Sequence, residues 1–200
     1  MLGTIKPTRG ELMRTRKRIA LAKRGHELLK RKQDSLVIEF FKLLKDVKAG
    51  HEALRSEHAR AQRMMSEARA LESDLTIKAS ALDVQKTAPI AIAVRNIAGV
   101  RVPSITRLGS VPAKPVHESL MLQDVGNGYS DVVELILLLA AKETALRKVL
   151  LEIKKTKRRA NALEEVFIPE LERVRLHITF ELEERGREEF TRLKKRNALA

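Results

Sequence analysis

Read from its N-terminus, the chain places apolar or small residues at alternating intervals of three and four. One ladder of seven-residue spacing runs through Leu12, Ile19, His26, Gln33, Phe40, Val47, Leu54, Ala61, Ala68, Leu75 and Leu82. A second, three residues on, runs through Thr15, Ala22, Leu29, Leu36, Leu43, Gly50, Glu57, Met64 and Leu71. Heptads sustained this long predict a coiled-coil helix rather than the short amphipathic helix of a globule. Its start is marked by Pro7, which stops backward extension. Thr8 and Glu11 then have the spacing of a capping box, the hydroxyl accepting from the Glu11 N–H and the carboxylate reaching back to the Thr8 N–H. No proline interrupts residues 8 to 88. A helix of about 75 residues at about 1.5 Å each would extend roughly 110 Å. His26, Gln33, Gly50 and Glu57 are poor seam residues, read as register marks or loosely packed turns rather than as ligands.

From Thr87 the period changes. In "TAPIAIAVRNIAGVRVPS" Ile90, Ile92 and Val94 alternate onto one face of an extended strand, Asn96 to Gly99 form a turn, and Val100 and Val102 pair back. Pro103, Gly109, Pro112 and Pro115 mark a loop that ends near "GNGYSD". This middle lobe is either a plain structural lobe or a contact and regulatory element. Helical periodicity resumes near Ser130, with a seam through Leu139, Leu146, Val149, Ile153, Thr156, Ala160, Leu163 and Phe167. Beyond Pro169 the seam continues as Leu171, Val174, Ile178, Leu182, Gly186, Phe190 and Leu193. Pro169 removes a backbone donor and is expected to kink the arm or shift its seam. Leu135 to Ala141 is apolar on all sides, more than one partner helix can cover, so the lobe or another subunit should pack there.

Two long arms flanking a short middle predict a mostly α fold: a long antiparallel two-helix coiled-coil hairpin with a small middle lobe containing a short β-hairpin. The divisions are an N-terminal arm at 1–86, the hairpin and loop lobe at 87–128, and a C-terminal arm at 129–200. Arms of equal length would set Leu12 near the C-terminus and Leu75 near Leu135. Arg14 to Lys32 would then lie beside Glu181, Glu183, Glu184, Glu188 and Glu189. Such pairs contribute only about 0.2–1 kcal/mol each, so they select register while the apolar seam holds the arms together. Lys154, Lys155, Lys157, Arg158 and Arg159 are left facing outward.

Composition adds the question of partners. The 200 residues carry a net charge of +14, with 33% charged, 3% aromatic and no Trp or Cys. The basic excess points to an acidic partner: nucleic acid, an anionic membrane surface or an acidic protein wall. Without Cys, disulfides and thiolate metal sites are excluded. "MLGTIKPTRG" lacks the apolar core of a signal peptide. The longest apolar run, "DVVELILLLAAK", contains Glu134 and is too short to cross a bilayer. The expectation is a soluble protein that can work beside a membrane.

No catalytic, cofactor-binding or metal-ligating residue is singled out. There is no GxxxxGK[ST] phosphate loop. Gly126 and Gly128 are a lone GxG without strand–turn–helix context, read as a turn. His51 and His58 share a helix face two turns apart, roughly 10 Å, too far to chelate one ion. The carboxylates lie on solvated faces beside Lys and Arg. On periodicity and composition alone this is a basic helical interaction protein, and a nucleic-acid-binding coiled coil or a generic scaffold rod stays open. Against nucleic acid stand the interspersed acids, the apolar seam running through the basic stretch and the lack of aromatic platforms.

"PTRGEL", "KRGHELLKRKQDSLVIEFFKL", "RRANALEEVFIPELE" and "REEFTRLKKRN" together resemble, in order, the D subunit of A-type and V-type ATPases. The likeness covers both arms; Gly10 stands where a larger residue is expected, weakening the helix start by about 1 kcal/mol relative to Ala. The resemblance implies the central rotor shaft of an A/V-type ATP synthase, non-catalytic and without cofactors. Its arm ends would lie inside a hexameric catalytic ring of A and B subunits. Its middle would bind the small F subunit of the stalk and dock on the C subunit, called d in eukaryotes, above the membrane rotor ring. It also implies a peripheral place at the cytoplasmic face of the cell membrane, with no nucleic-acid partner, coupling ATP synthesis or hydrolysis to rotation and ion translocation.

Overall fold

The computed structural model describes residues 6–83, 90–107 and 119–198. The elements are α1 (Arg9–Leu71), α2 (Asp74–Asp83), β1 (Ile90–Ile97), β2 (Val100–Arg107), α3 (Leu120–Ala162) and α4 (Ile168–Ala198), with a π-helical turn at Leu163–Phe167 between the last two. The fold is mostly α, its long helices antiparallel within each compact unit and a two-stranded sheet between α2 and α3. One unit joins the residues through Asp34 with those from Ile153 on; the other is Ser35–Glu152.

In the first unit, α1 starts at the expected cap. The Glu11 N–H donates to Thr8 Oγ1 at 3.2 Å and the Leu12 N–H to the Thr8 carbonyl at 3.0 Å. The reciprocal half of the capping box is replaced: Arg14 Nη1 donates to the Glu11 carboxylate at 3.5 Å. Thr15, Ile19 and Ala22 of α1 are buried, as are Thr156 and Ala160 of α3 and Val174 and Ile178 of α4. Polar links fix the antiparallel register. Arg185 Nη1 donates to the Pro7 carbonyl at 3.3 Å, Lys23 Nζ lies 2.8 Å from Glu172 Oε1, and His26 Nε2 lies 3.1 Å from Glu164 Oε2. This differs from the expected charge pairing. The basic stretch meets Glu164 and Glu172, while Glu184 and Glu188 pair within α4, with Arg187 and Arg192. Leu12 accordingly does not face the chain's end, because α4 runs on past the start of α1.

The π-helical turn is the response to Pro169. Proline has no N–H to return to the carbonyl four residues back, and just before it the Ile168 N–H instead reaches the Leu163 carbonyl, five residues back. Widening of this kind absorbs a break in the helical ladder. It also moves the seam: Leu163 is half-buried, but Phe167, expected inside, is 47% exposed. Gly186, Phe190 and Leu193 are exposed as well, since among the described residues no helix of this unit lies opposite the far end of α4.

In the second unit Leu36, Val47, Ala61 and Ala68 of α1 are buried, as are Val125, Val132, Leu139, Ala145 and Val149 of α3. The ladder is buried or half-buried up to Ala68, then fails: Leu71, Leu75 and Leu82 are 77–84% exposed. There the single predicted helix is broken. Ser73 accepts the Leu75 N–H on Oγ at 3.2 Å and the Ile77 N–H on its carbonyl at 3.1 Å, starting α2 afresh. The break lets Ile77, off the ladder, pack with Met64, Met65, Met121 and Tyr129 on a cluster of Ala68, Leu122 and Val125. Leu75 therefore does not lie near Leu135. Residues 84–86 of the predicted arm lie outside the described residues.

α3 begins ten residues before Ser130, where Ser119 accepts the Leu122 and Gln123 N–H groups at 3.0 and 3.3 Å. Gly126 and Gly128 are therefore helical and not a turn. Packing overrides their propensity: a Cβ on Gly128 would stand 3.8 Å from Ala61 Cβ and 3.7 Å from Met64 Sδ, so the two helices approach closely there. Gly50 has a closer neighbour, since a Cβ would stand 3.0 Å from Leu139 Cδ1.

β1 and β2 pair antiparallel from Ile90↔Arg107 to Ile97↔Val100. The turn is tighter than expected. Only Ala98 and Gly99 make it, at φ +48° and +86°, and Asn96 belongs to β1 opposite Arg101. Both positive angles match the primed turns that suit strand twist. Pro103 lies in β2 opposite Val94, not in the loop. In a two-residue hairpin that pair exchanges no hydrogen bonds, so the missing N–H faces a free edge. Lys148 Nζ caps the outward Arg101 carbonyl at 3.3 Å, and Val102 is buried beneath. The loop expected at Gly109, Pro112 and Pro115 lies outside the described residues.

Two outcomes follow from this packing. Gly128→Ala, whose methyl meets only ordinary contacts, should raise stability by up to about 1 kcal/mol through helix propensity; Gly50→Ala should gain less or lose, because buried Leu139 must yield. Denaturant midpoints of the two variants order them. The second concerns Glu172, whose carboxyl is held below its usual range by the hydrogen bond from Lys23, then by the Lys23 charge, with a smaller contribution from the Arg175 charge. A depressed carboxylate stabilises the fold above its unfolded titration and loses that contribution as pH falls through the folded value. Glu172→Gln should thus lower the melting temperature at neutral pH, and the difference from the parent should vanish as pH falls through the depressed folded titration.

Candidate functional site

What the chain offers chemically is surface. In the first unit, Lys154, Lys155, Lys157, Arg158 and Arg159 are all exposed, and among the described residues none of them has an ion-pair partner. Arg158 donates only to the Lys154 carbonyl, at 3.4 Å. The outward position expected for this cluster is what the structure has, on the last turns of α3 before the π-helical turn.

Apolar groups share this unit's exterior. On α1, Leu21 and Leu28, one heptad apart, are 72% and 64% exposed. On α4, Leu176 and Phe180, one turn apart, are each 60% exposed. Val166, in the π-helical turn, is exposed as well. The inner seam of this unit is filled without them, and among the described residues they stay exposed.

His26 and His51 make cross-helix contacts. His26, a seam position, is bonded to Glu164, with Lys30 Nζ 3.9 Å from the same carboxylate. In the second unit His51 Nε2 lies 2.9 Å from Glu143 Oε1, while His58 is exposed. His51 and His58 thus have different surroundings. Among the described residues no three His, Asp or Glu side chains are gathered so as to hold a metal ion.

The second unit has its own exposed apolar groups. Ile92 and Val94, on one face of the hairpin, are 70% and 71% exposed. In the all-round apolar stretch, Leu139 and Ala141 are buried but Ile136 and Leu138 stay partly open. The hairpin therefore does not cover the whole of that stretch. Residues 90–107 contain three arginines and no acid, which makes the hairpin apolar and cationic at once.

Sequence reasoning missed Tyr129 and Arg63, which line an open groove with Gln62, Met65, Ser66 and Arg69. Taking "GNGYSD" for a loop hid Tyr129. The signal available was Ser119, a cap residue ahead of the apolar positions Leu120, Leu122 and Val125. Among the described residues no helix is long and apolar enough to cross a membrane.

Comparison with known proteins gives these surfaces a context. A family model for the D subunit of ATP synthase matches residues 11–198. The chain is 39% identical to the A-type ATP synthase D subunit of Methanoregula boonei over 97% of its own length and 96% of the relative's. It is 38% identical to that of Methanococcoides burtonii, covering 96% of each chain. With the Haloarcula marismortui protein of the same name, identity is 37% over 98% of this chain and 87% of the relative. A match that takes in α1, the hairpin, α3 and α4 without interruption leaves one conclusion: the chain belongs to the family of ATP synthase D subunits.

Proposed function

We propose that this chain is the central rotor shaft of an A/V-type ATP synthase, a non-catalytic stalk component turning within a ring of A and B subunits. The observation that carries the reading is the exterior of the first unit. Two antiparallel helices there satisfy their shared seam and still present Leu21, Leu28, Leu176 and Phe180 outward. Membership of the D-subunit family and the unpaired basic cluster at Lys154–Arg159 support it further. The apolar groups are read as sliding contacts with the ring's inner wall. The lysines and arginines would give longer-range guidance without fixed pairing, since exposed ion pairs are weak and screened.

In this reading nucleotide is made or hydrolysed on the ring, and the chain acts by coupling. An off-axis shaft touches the three catalytic interfaces differently, so each orientation favours a different open or closed state. Closure around nucleotide biases orientation in return, because coupling of binding equilibria is reciprocal. The middle of the chain would bind the F subunit of the stalk and dock on the C subunit above the membrane rotor ring. The chain would then be peripheral to the membrane, at its cytoplasmic face, through the complex.

The absence of native Cys makes a clean test possible. Leu176→Cys, paired with a cysteine on the ring's inner wall, should form a reducible cross-link that abolishes coupled turnover, restored by reductant. Turnover that continues with the cross-link formed would falsify rotation of this chain. Replacing all five residues of the basic cluster with Gln should weaken association with the ring by about tenfold at low salt. It should also flatten the salt dependence of assembly; an unchanged salt dependence discards the guidance role and leaves the shaft standing.

A further inference from the structure

The groove beside Tyr129 is unexplained by the helix packing. It is an open cleft of about 580 Å³ in the second unit, between α1 and α3. Its base is firm: Met65 and Tyr129 pack on the buried cluster of Ala68, Leu122 and Val125. Its rim is cationic. Arg63 and Arg69 flank Gln62 and Ser66 and are exposed, and among the described residues neither has an ion-pair partner. Their neighbours on the same helix behave differently: Arg55 pairs with Glu52 at 3.8 Å and Arg60 with Glu57 at 3.6 Å. Glu67, one turn on from Arg63, makes no pair with it. The Ser66 hydroxyl is committed to the Gln62 carbonyl at 3.0 Å. The Gln62 amide and the hydroxyl of Tyr129, the one tyrosine of the chain, have no protein partner among the described residues.

We propose that this groove receives an acidic polypeptide segment of a neighbouring subunit, two carboxylates engaging Arg63 and Arg69 and an apolar side chain lying on Tyr129 and Met65. The proposal rests on the stalk reading and names the chemistry of one partner contact within it. Guanidinium groups take carboxylates in paired, directional hydrogen bonds, and Arg and Tyr are the side chains that most often anchor protein interfaces. Spacing separates polypeptide from a free anion. Arg63 and Arg69 are six residues apart, about 9 Å along the helix axis and about 120° around it, too far for one phosphate to bridge closely. A peptide carrying two separate acids can reach both, where a single small anion cannot. A cleft between two helices is concave, which suits an inserted segment better than a flat bilayer surface. One tyrosine offers no stacking platform for successive bases.

The test uses the intact ATP synthase complex carrying a photo-cross-linking amino acid at Gln62. The expected product joins this chain to a peptide of another subunit with at least two Asp or Glu residues close together. Arg63→Glu/Arg69→Glu should then cut that cross-link by at least about tenfold, as should high salt on the parent. Arg63→Lys/Arg69→Lys should fall between the parent and the reversal, keeping the charge but losing the paired geometry, and helical content checked by circular dichroism should be unchanged in both. Cross-links confined to this chain, to a segment without acids, to lipid or to nucleic acid overturn the groove proposal, as does a cross-link indifferent to charge reversal. If the ring stays attached in those cases the stalk reading is untouched. Failure of the unaltered chain to join any such complex removes the stalk reading instead.

Discussion

Everything else in this fold depends on one apolar seam being buried between antiparallel helices. Where two helices pair along one seam, each must turn one apolar stripe to its partner and keep it there. Full burial of a Leu, Val or Ile side chain is worth about 1.5–3 kcal/mol, and Leu36, Val149 and Ile178 are wholly buried. Surface ion pairs generally contribute about 0–1 kcal/mol. The seam therefore supplies the stability. Polar links such as Arg185 to the Pro7 carbonyl and His26 to Glu164 choose among registers that the seam alone would tolerate.

Departures from a regular seam have separate local causes. Pro169 removes one amide, and the ladder widens into a π-helical turn that carries Glu164 toward His26 and Lys30. Ser73 offers a hydroxyl and a carbonyl to amides of the next turn, and the long first helix ends there. Gly50 and Gly128 sit where a partner side chain or backbone comes within contact distance of an added Cβ. None of these is a failure of packing. Each trades helix propensity, or one backbone bond, for a contact across the pair.

Pairing along a seam also leaves outward Leu and Phe side chains in both units, in a chain of basic balance. The exposed groups differ in chemistry between the units. The first unit presents aliphatic and phenyl contacts beside free cations. The second presents a hairpin with an apolar face and a cationic groove.

Heptad spacing by itself determined the helical class and the seam from Thr15 to Ala68, because a stripe of one period can be buried in few ways; the Thr8–Glu11 spacing determined the cap, and two long arms around a short middle the antiparallel return. Alternation of Ile90, Ile92 and Val94 likewise determined a strand, and the family signatures lie in the helices that this periodicity defines. Only tertiary structure decided where the ladder stops mattering. Leu71, Leu75 and Leu82 continue the heptad perfectly, yet they are exposed because α2 turns Ile77 inward instead. Tertiary structure also decided that Gly126 and Gly128 are helical, since the contact with Ala61 outweighs a local preference for a turn. The register was beyond sequence for the same reason. Sliding two heptad stripes by seven residues buries the same kinds of side chain, and the choice falls to a few cross-helix bonds and close approaches whose partners are far apart in the chain.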